Sequence, residues 1–263
     1  MSPVGRTLTI RKFSHKLLSI YDLAHLGAMS KKAATFLDAA VKAKVSIVIS
    51  GGTGTGKTTV LNALSESIPK NERVVSIEDV QELKLSNPNW VSLTAVAGKN
   101  KVSINDCLVN SLRMRPDRII VGECRREETF EMLQAMNSGH EGSMTSIHAN
   151  SAEDTLSRIE VLLQYANLNL PLKTIRQQIA QSIDLIVQIR RLTNGKREIH
   201  EIIELTGMEG DVITRAPIFK RNAQGTLVET GYVPLCIEKI KAARLAIPDN
   251  FFDSNVYNIK KSS

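Results

Sequence analysis

One run of the chain combines glycines, a lysine and a threonine at the spacing of a phosphate-binding loop. It satisfies the pattern Gly, four residues, Gly, Lys, Thr, and it follows a strand-like apolar run at Val45–Ile49 and precedes a helix-like stretch. Glycines let backbone N–H groups and the helix N-terminus approach phosphate oxygens, the lysine reaches the β- and γ-phosphates, and the hydroxyl of Thr58 holds Mg²⁺. A glycine-rich turn that binds nothing is the alternative. The residues predicted to bind a nucleotide are Gly51, Gly52, Thr53, Gly54, Thr55, Gly56, Lys57, Thr58 and Thr59.

A second candidate for chemistry is a glutamate at the end of another apolar run. The segment Ile119–Val121 is typical of a strand, and Gly122 and Glu123 follow it directly. Because the carboxyl ends of parallel strands share one edge of a sheet, we expect the Glu123 carboxylate beside the phosphate-binding loop. There it would orient and polarise the water that attacks a γ-phosphate. A solvated carboxylate after a buried strand is the alternative.

Strand-like and helix-like segments alternate along the chain, and they must position these residues. Such alternation predicts an α/β fold with a parallel sheet. The predicted strands are Val45–Ile49, Val74–Ile77, Ile119–Val121 and Met144–Ile147. The predicted helices are Thr58–Ser67, Ile104–Met114, Glu127–Met136 and Glu153–Gln164.

Three further segments extend this pattern. Ser30 is placed to cap a helix that leads into the phosphate-binding loop. Leu185–Ile189 and Ile199–Leu205 flank the turn Thr193–Lys196 and predict a hairpin that forms an antiparallel edge of the sheet. Thr7–Ile10 alternates polar and apolar residues and predicts a short strand.

Composition narrows the class of protein. The chain has 263 residues, of which 42% are apolar and 4% aromatic, so an ordinary α/β protein is favoured over a disordered one. Its 34 basic and 27 acidic residues give a net charge of +7, which favours acidic partners such as nucleotides, nucleic acid or an anionic membrane surface. The three cysteines are widely spaced, as is usual in a reducing cytosol. The chain has no apolar run of about 18 residues and no signal peptide. These features predict a cytoplasmic protein.

Four motifs in this order resemble one family. They are similar to motifs of the secretion and pilus-assembly ATPases of type II and type IV secretion systems, and most of all to tight-adherence (Flp) pilus ATPases of the CpaF type. The resemblance runs from about Leu8 to the C-terminus. The matching segments are Ile49–Thr59, Ser76–Leu83, Leu112–Glu123 and Ser138–Asn150.

The resemblance implies a fold, an activity and partners. Members of this family are hexameric ring ATPases on the cytoplasmic face of the inner membrane, with a RecA-like P-loop motor domain preceded by an N-terminal domain. It implies that residues 1–18 are the end of that first domain, with Arg11 and Lys12 as a remnant, and that residues 19–263 are the motor. ATP and Mg²⁺ are the implied cofactors. The implied partners are further copies of the chain and inner-membrane pilus or secretion platform proteins, with peripheral membrane association.

The resemblance also implies roles for individual residues. Glu78 would belong to an acidic box that helps to hold Mg²⁺ and water, and Glu123 would be the Walker B glutamate, which also faces the metal. His148 would be the histidine that couples the nucleotide site to its surroundings. Arg113 and Arg115 resemble family arginines that contact the γ-phosphate or a subunit interface.

Each of these residues has a plainer explanation. Glu78 is also consistent with a simple turn, and His148 with a hydrogen-bonded structural histidine. Arg113 and Arg115 would then pair with Glu127 or Glu128. The sequence also departs from the family at two places, since Ser92–Val96 lacks a family arginine and Cys124–Glu128 replaces a glycine-bearing loop.

Two other functions stay open beside a secretion or pilus motor. One is a RecA-like nucleic-acid motor, which the net charge of +7 would suit. The single tryptophan, Trp90, and the few other aromatic residues argue against stacking on a single strand, so no specific nucleic acid is expected. The other is a scaffold that binds nucleotide without hydrolysing it.

Overall fold

The strands of the chain join in one mixed sheet. The structure, a computed structural model, describes Leu8 and residues 17–166 and 170–253. Within them the strands are β1 (Ile47–Gly51), β2 (Val74–Glu78), β3 (Trp90–Thr94), β4 (Arg118–Val121), β5 (Met144–Ile147), β6 (Leu185–Arg191), β7 (Arg197–Glu209), β8 (Val212–Arg221) and β9 (Leu227–Glu229). The helices are α1 (Ile20–His25), α2 (Lys31–Lys42), α3 (Lys57–Ser65), α4 (Ile104–Ser111), α5 (Glu128–Asn137), α6 (Ala152–Tyr165), α7 (Leu172–Ser182) and α8 (Ile237–Ala242).

The sheet has the order β3-β2-β4-β5-β1-β6-β7-β8-β9. Every neighbouring pair from β3 to β6 is parallel, and every pair from β6 to β9 is antiparallel. The strands β1, β2, β4 and β5 are buried along their whole length, as expected for parallel strands covered on both faces. The predicted α/β fold with a mainly parallel sheet, flanking helices and an antiparallel extension is confirmed.

Two apolar cores lie on the two faces of this sheet. Alternate residues of β1 show the division, since Ile47 and Ile49 belong to one core and Val48 to the other. The first core includes buried residues of α1, α2, α3 and α8, and the second includes those of α4 to α7. The sheet is therefore the middle of three layers.

The predicted helix cap at Ser30 and the predicted hairpin are confirmed, with two corrections. The Ser30 hydroxyl accepts a hydrogen bond from Ala33 N and begins α2. β6 and β7 pair across the predicted turn, but they do not form the edge of the sheet, because β8 and β9 extend it further. The predicted helix Ile104–Met114 ends early, since α4 stops at Ser111 and a 3₁₀ turn follows at Leu112–Met114.

Three sequence predictions lie wholly or partly outside the described residues. These are the strand at Thr7–Ile10, of which only Leu8 is described, the pair Arg11 and Lys12, and most of the segment 1–18. The domain division at residue 18 stays a prediction. Among the described residues, no helix has the length and apolar character needed to cross a membrane.

The three cysteines, Cys107, Cys124 and Cys236, are buried and free of disulfides. Burial raises the pKa of each thiol, and for Cys124 it raises the pKa to about 12. The sequence-based interpretation that they act as small apolar residues agrees with this burial.

A buried ion pair fixes the start of β4, the strand that leads to Glu123. Arg118 is fully buried, and its guanidinium donates to both carboxylate oxygens of Glu72, with Nη2 at 3.0 Å from Oε1. Its Nη1 donates to Gly142 O at 3.3 Å. Gly142 has a φ of +78°, and a Cβ there would lie 2.6 Å from Arg118 Nη1, so the arginine fits only beside a glycine.

Removing Glu72 should therefore leave a buried charge without its partner. We expect Glu72→Ala to lower the free energy of unfolding by about 3–5 kcal/mol, measured by urea unfolding. The matched control is Glu238→Ala, which breaks an exposed pair with Lys241 and should cost less than about 1 kcal/mol. Equal losses in the two variants would contradict a structural role for the Arg118 pair.

Candidate active site

The carboxyl ends of the parallel strands meet at one edge of the sheet, and a cavity of about 740 Å³ opens there. Gly51 ends β1 and Glu78 ends β2, while Glu123 and His148 follow β4 and β5. A cavity of this volume suits a ligand of nucleotide size. Its lining includes Thr53–Thr59, Glu78, Asp79, Glu123, Arg125, His148 and Arg197.

The phosphate-binding loop leaves β1 through a gap with no room for a side chain. A Cβ on Gly51 would lie 2.5 Å from Thr55 Oγ1 and 2.9 Å from Ile189 O. Gly54 and Gly56 have φ values of +71° and +97°, a region that residues with a Cβ rarely adopt. The spacing of glycines in the sequence therefore matches three separate steric demands of the loop.

Lys57 begins α3, and its ammonium group lies over the loop. Its Nζ donates to Gly51 O at 2.9 Å and to Gly52 O at 3.3 Å. Burial lowers the pKa of Lys57, and the nearby Glu123 carboxylate opposes that shift by favouring the charged form. The lysine is thus a partly desolvated cation, which binds an anion more strongly than a fully hydrated one does.

Glu123 is held between two cations. One carboxylate oxygen, Oε1, lies 4.0 Å from Lys57 Nζ. The other, Oε2, accepts hydrogen bonds from Arg125 Nε at 2.9 Å and from Arg125 Nη2 at 2.5 Å. Arg125 Nη1 also lies 3.6 Å from Asp79 Oδ2. The carboxylate therefore has a fixed direction beside the phosphate-binding loop, where the sequence predicts it.

Glu78 lies in the cavity wall, but its carboxylate is already engaged. Its Oε1 accepts hydrogen bonds from the backbone N–H groups of Glu82 and Leu83, both at 3.0 Å. Burial raises the pKa of Glu78, and these N–H groups oppose the shift. The contacts fix the loop after β2, so the structure gives Glu78 a positioning role. Its predicted role toward Mg²⁺ stays a prediction.

His148 and Thr58 both face the cavity. His148 is exposed, and Thr58 is partly buried beside Lys57 at the start of α3. In the described part of the chain, no three His, Cys, Asp or Glu side chains converge as a metal site. Mg²⁺ in such a loop takes few protein ligands and completes its shell with phosphate oxygens and water, so the Thr58 hydroxyl, which lines the same cavity as Glu123, fits this ion.

Arg113 and Arg115 lie far from this cavity along the strand direction. Both precede β4, so they sit at the amino ends of the parallel strands, the edge opposite the phosphate-binding loop. Both are exposed, and within the described residues neither forms the expected ion pair with Glu127 or Glu128. Neither arginine therefore lies beside the phosphate-binding loop of its own chain, and a contact with a γ-phosphate stays a prediction. A place at a subunit interface stays a prediction.

Two arginines at the site were missed in the sequence. Arg125 follows Glu123 by two residues and lies in the segment Cys124–Glu128, which departs from the family pattern. Arg197 begins β7, and its Nε donates to Gly54 O at 3.0 Å. The hairpin prediction contains Arg197, but the sequence holds no local signal that β6 lies beside β1.

A protein-family comparison matches most of the chain. The model of the family described as "Type II/IV secretion system protein" matches residues 2–231. The chain is 36% identical over 206 residues to the conjugal transfer protein TrbB of Rhizobium radiobacter, covering 77% of this chain and 61% of that protein. It is 36% identical over 203 residues to the type IV secretion system protein VirB11 of Bartonella quintana, covering 75% and 55%.

A solved structure agrees with these relatives. The VirB11 ATPase from the Brucella suis type IV secretion system, solved in complex with sulphate, superposes with a TM-score of 0.61 at 33% identity. The match covers 74% of this chain and 60% of that protein. The chain thus spans less than two thirds of the length of these relatives.

Lys57 supplies the charge that the phosphate-binding loop needs. We expect Lys57→Ala to weaken ATP binding by at least about a hundredfold, because the ammonium and the backbone N–H groups bind the phosphates together. Isothermal titration of ATP measures this. Lys42→Ala, which removes an exposed lysine at the end of α2, is the control and should leave the affinity unchanged. Unchanged ATP affinity in Lys57→Ala would refute the assignment of the loop.

Proposed function

Because the chain belongs to the type II/IV secretion system protein family, we propose that it is an ATP-hydrolysing motor that works as a hexameric ring and powers pilus assembly or protein secretion across the bacterial envelope. One observation carries the proposal. The ammonium of the phosphate-binding loop and the acidic end of a neighbouring strand lie together, with Lys57 Nζ 4.0 Å from Glu123 Oε1. This is the pairing of a phosphate-binding cation with a water-orienting carboxylate that triphosphate hydrolysis requires.

The residues divide the reaction between them. Lys57 and the N-terminus of α3 bind the phosphates, and Glu123 orients the water that attacks the γ-phosphate, giving ADP and phosphate. Thr58 would help to hold Mg²⁺, which would supply further stabilisation of the negative charge. Arg125 fixes the direction of the Glu123 carboxylate. Most of the catalysis is therefore positioning and electrostatics.

The proposed partners are further copies of this chain and an inner-membrane platform of a secretion or pilus system. Support comes from the relatives, among which VirB11 of Bartonella quintana is named as a type IV secretion system protein. A net charge of +7 suits peripheral contact with an anionic membrane surface. The narrower assignment to a tight-adherence pilus of the CpaF type stays a prediction.

Phosphate release with ATP and Mg²⁺, measured across a range of protein concentrations, tests hydrolysis and assembly together. We expect turnover per chain to rise with concentration, because a ring forms by mass action. Turnover that DNA stimulates would favour a nucleic-acid motor instead. ATP binding without turnover at any concentration would favour a nucleotide-binding scaffold.

Glu123→Gln is the variant that assigns the water-orienting role. It keeps the shape of the side chain but removes its charge, so we expect unchanged ATP affinity and a loss of turnover of at least about a hundredfold. Glu238→Gln, on the exposed face of α8, is the matched control and should retain full turnover. Normal turnover in Glu123→Gln would move the role to another carboxylate.

Arg125 should affect turnover rather than binding. If it orients Glu123, Arg125→Ala should lower kcat by about tenfold to a hundredfold while KM for ATP changes by less than about twofold. Arg126→Ala is the control, since this neighbouring exposed arginine has no ion pair among the described residues. A rise in KM with normal kcat would show that Arg125 binds the substrate instead.

A further inference from the structure

Two arginines face each other at the end of the β6–β7 hairpin. Arg191 and Arg197 are directly opposite in the antiparallel register, so their side chains emerge on the same face. Both are exposed, and neither forms an ion pair within the described residues. Like charges directly opposite each other destabilise a strand pair, so this end of the hairpin carries an unbalanced positive charge.

The next pair along the same hairpin is balanced. Arg190 lies opposite Glu198, and its Nε is 2.9 Å from Glu198 Oε1. Glu198 is buried and also lies 3.1 Å from Arg221 Nε. On one face of the hairpin Arg190 is thus neutralised by Glu198, whereas on the other face Arg191 and Arg197 have no acidic partner among the described residues.

The uncompensated pair lies against the phosphate-binding loop. Arg197 Nε donates to Gly54 O at 3.0 Å, and its Cδ is 3.3 Å from where a Cβ of Gly56 would stand. Arg191 Nη1 is 3.8 Å from the corresponding position on Gly54. Arg197 also lines the cavity, and its two Nη nitrogens have no acceptor among the described residues. These Nη groups are therefore available as hydrogen-bond donors near the loop.

The sheet order shows which part of a nucleotide this pair would meet. β1 lies between β5 and β6, so Glu123, which follows β4, is on one side of the loop and the hairpin is on the other. The γ-phosphate must face Glu123, because that carboxylate orients the attacking water. The rest of the nucleotide then extends away from Glu123, and the α-phosphate is the phosphate farthest from it.

We propose that Arg191 and Arg197 form a second cationic subsite that binds the α-phosphate, on the side of the loop away from Glu123. The inference rests on the proposed nucleotide site and adds to it a contact from the antiparallel extension of the same chain. Two guanidinium groups then exchange mutual repulsion for charge-assisted hydrogen bonds to one anion. Nucleotide binding and the conformation of the hairpin become linked.

The test is isothermal titration of the full chain with ADP and with a non-hydrolysable ATP analogue. Because both ligands carry the α-phosphate, Arg197→Ala should weaken both by the same factor, roughly tenfold. Arg191→Ala should act in the same direction, and Arg197→Lys should retain part of the affinity. Lys196→Ala is the matched control, since this cation of the same turn approaches Gly27 instead of the loop, and both affinities should be unchanged.

Thermal unfolding without nucleotide tells whether Arg197 serves to bind nucleotide or to stabilise the fold. Removing one of two repelling charges should leave the Tm of Arg197→Ala unchanged or higher, whereas a structural arginine would lower it. The proposal is overturned by a lower Tm, by unchanged ADP affinity, or by a loss confined to the triphosphate analogue. It is also overturned if only the concentration dependence of phosphate release changes, which would place the pair against a second copy. Failure of the unmodified chain to bind ADP would instead refute the proposed function.

Discussion

The site depends on a steric constraint at the end of β1. Gly51 passes between Thr55 Oγ1 and Ile189 O, where a Cβ would lie within 2.9 Å of both. Only a backbone without a side chain turns there, and this turn directs the loop over the N-terminus of α3. The lysine, the cavity and the contact with the β6–β7 hairpin all follow from that turn. A larger residue would displace them together, because β1 is packed between β5 and β6.

The balance of charge around the cavity changes from one side of the loop to the other. Glu123 lies between Arg125 and Lys57, so the acidic group is compensated. On the other side of the loop, Arg191 and Arg197 lie opposite each other, and no acidic group among the described residues compensates their charge. A polyphosphate would add negative charge where the protein carries an excess of positive charge, and it would leave Glu123 directed at the water. The distribution of charge therefore distinguishes the side of the loop that would bind the polyphosphate from the side where Glu123 would direct the water.

Patterns within short segments of the sequence predicted those parts of the fold that depend only on neighbouring residues. Apolar runs bounded by polar residues gave the four central parallel strands, and the glycine spacing gave the loop. The position of Glu123 beside the loop was predicted because a strand end and a parallel sheet suffice to place it, whereas its role in hydrolysis stays a prediction. The position of Arg113 and Arg115 before β4, at the edge of the sheet opposite the loop, could not be predicted, because motif order does not tell which end of a strand faces the loop. The arginines of the hairpin require the pairing of β6 with β1, residues that are far apart in the chain.

The burial of all three thiols has a practical consequence for observing this protein at work. Alkylating and fluorescent thiol reagents react with thiolates, and burial keeps Cys107, Cys124 and Cys236 both protonated and shielded. A single cysteine introduced on an exposed loop would therefore be labelled selectively in the otherwise unaltered chain. The native sequence is in this sense already a background for single-site spectroscopy, in which the environment of one probe on the hairpin can be followed while nucleotide binds and leaves.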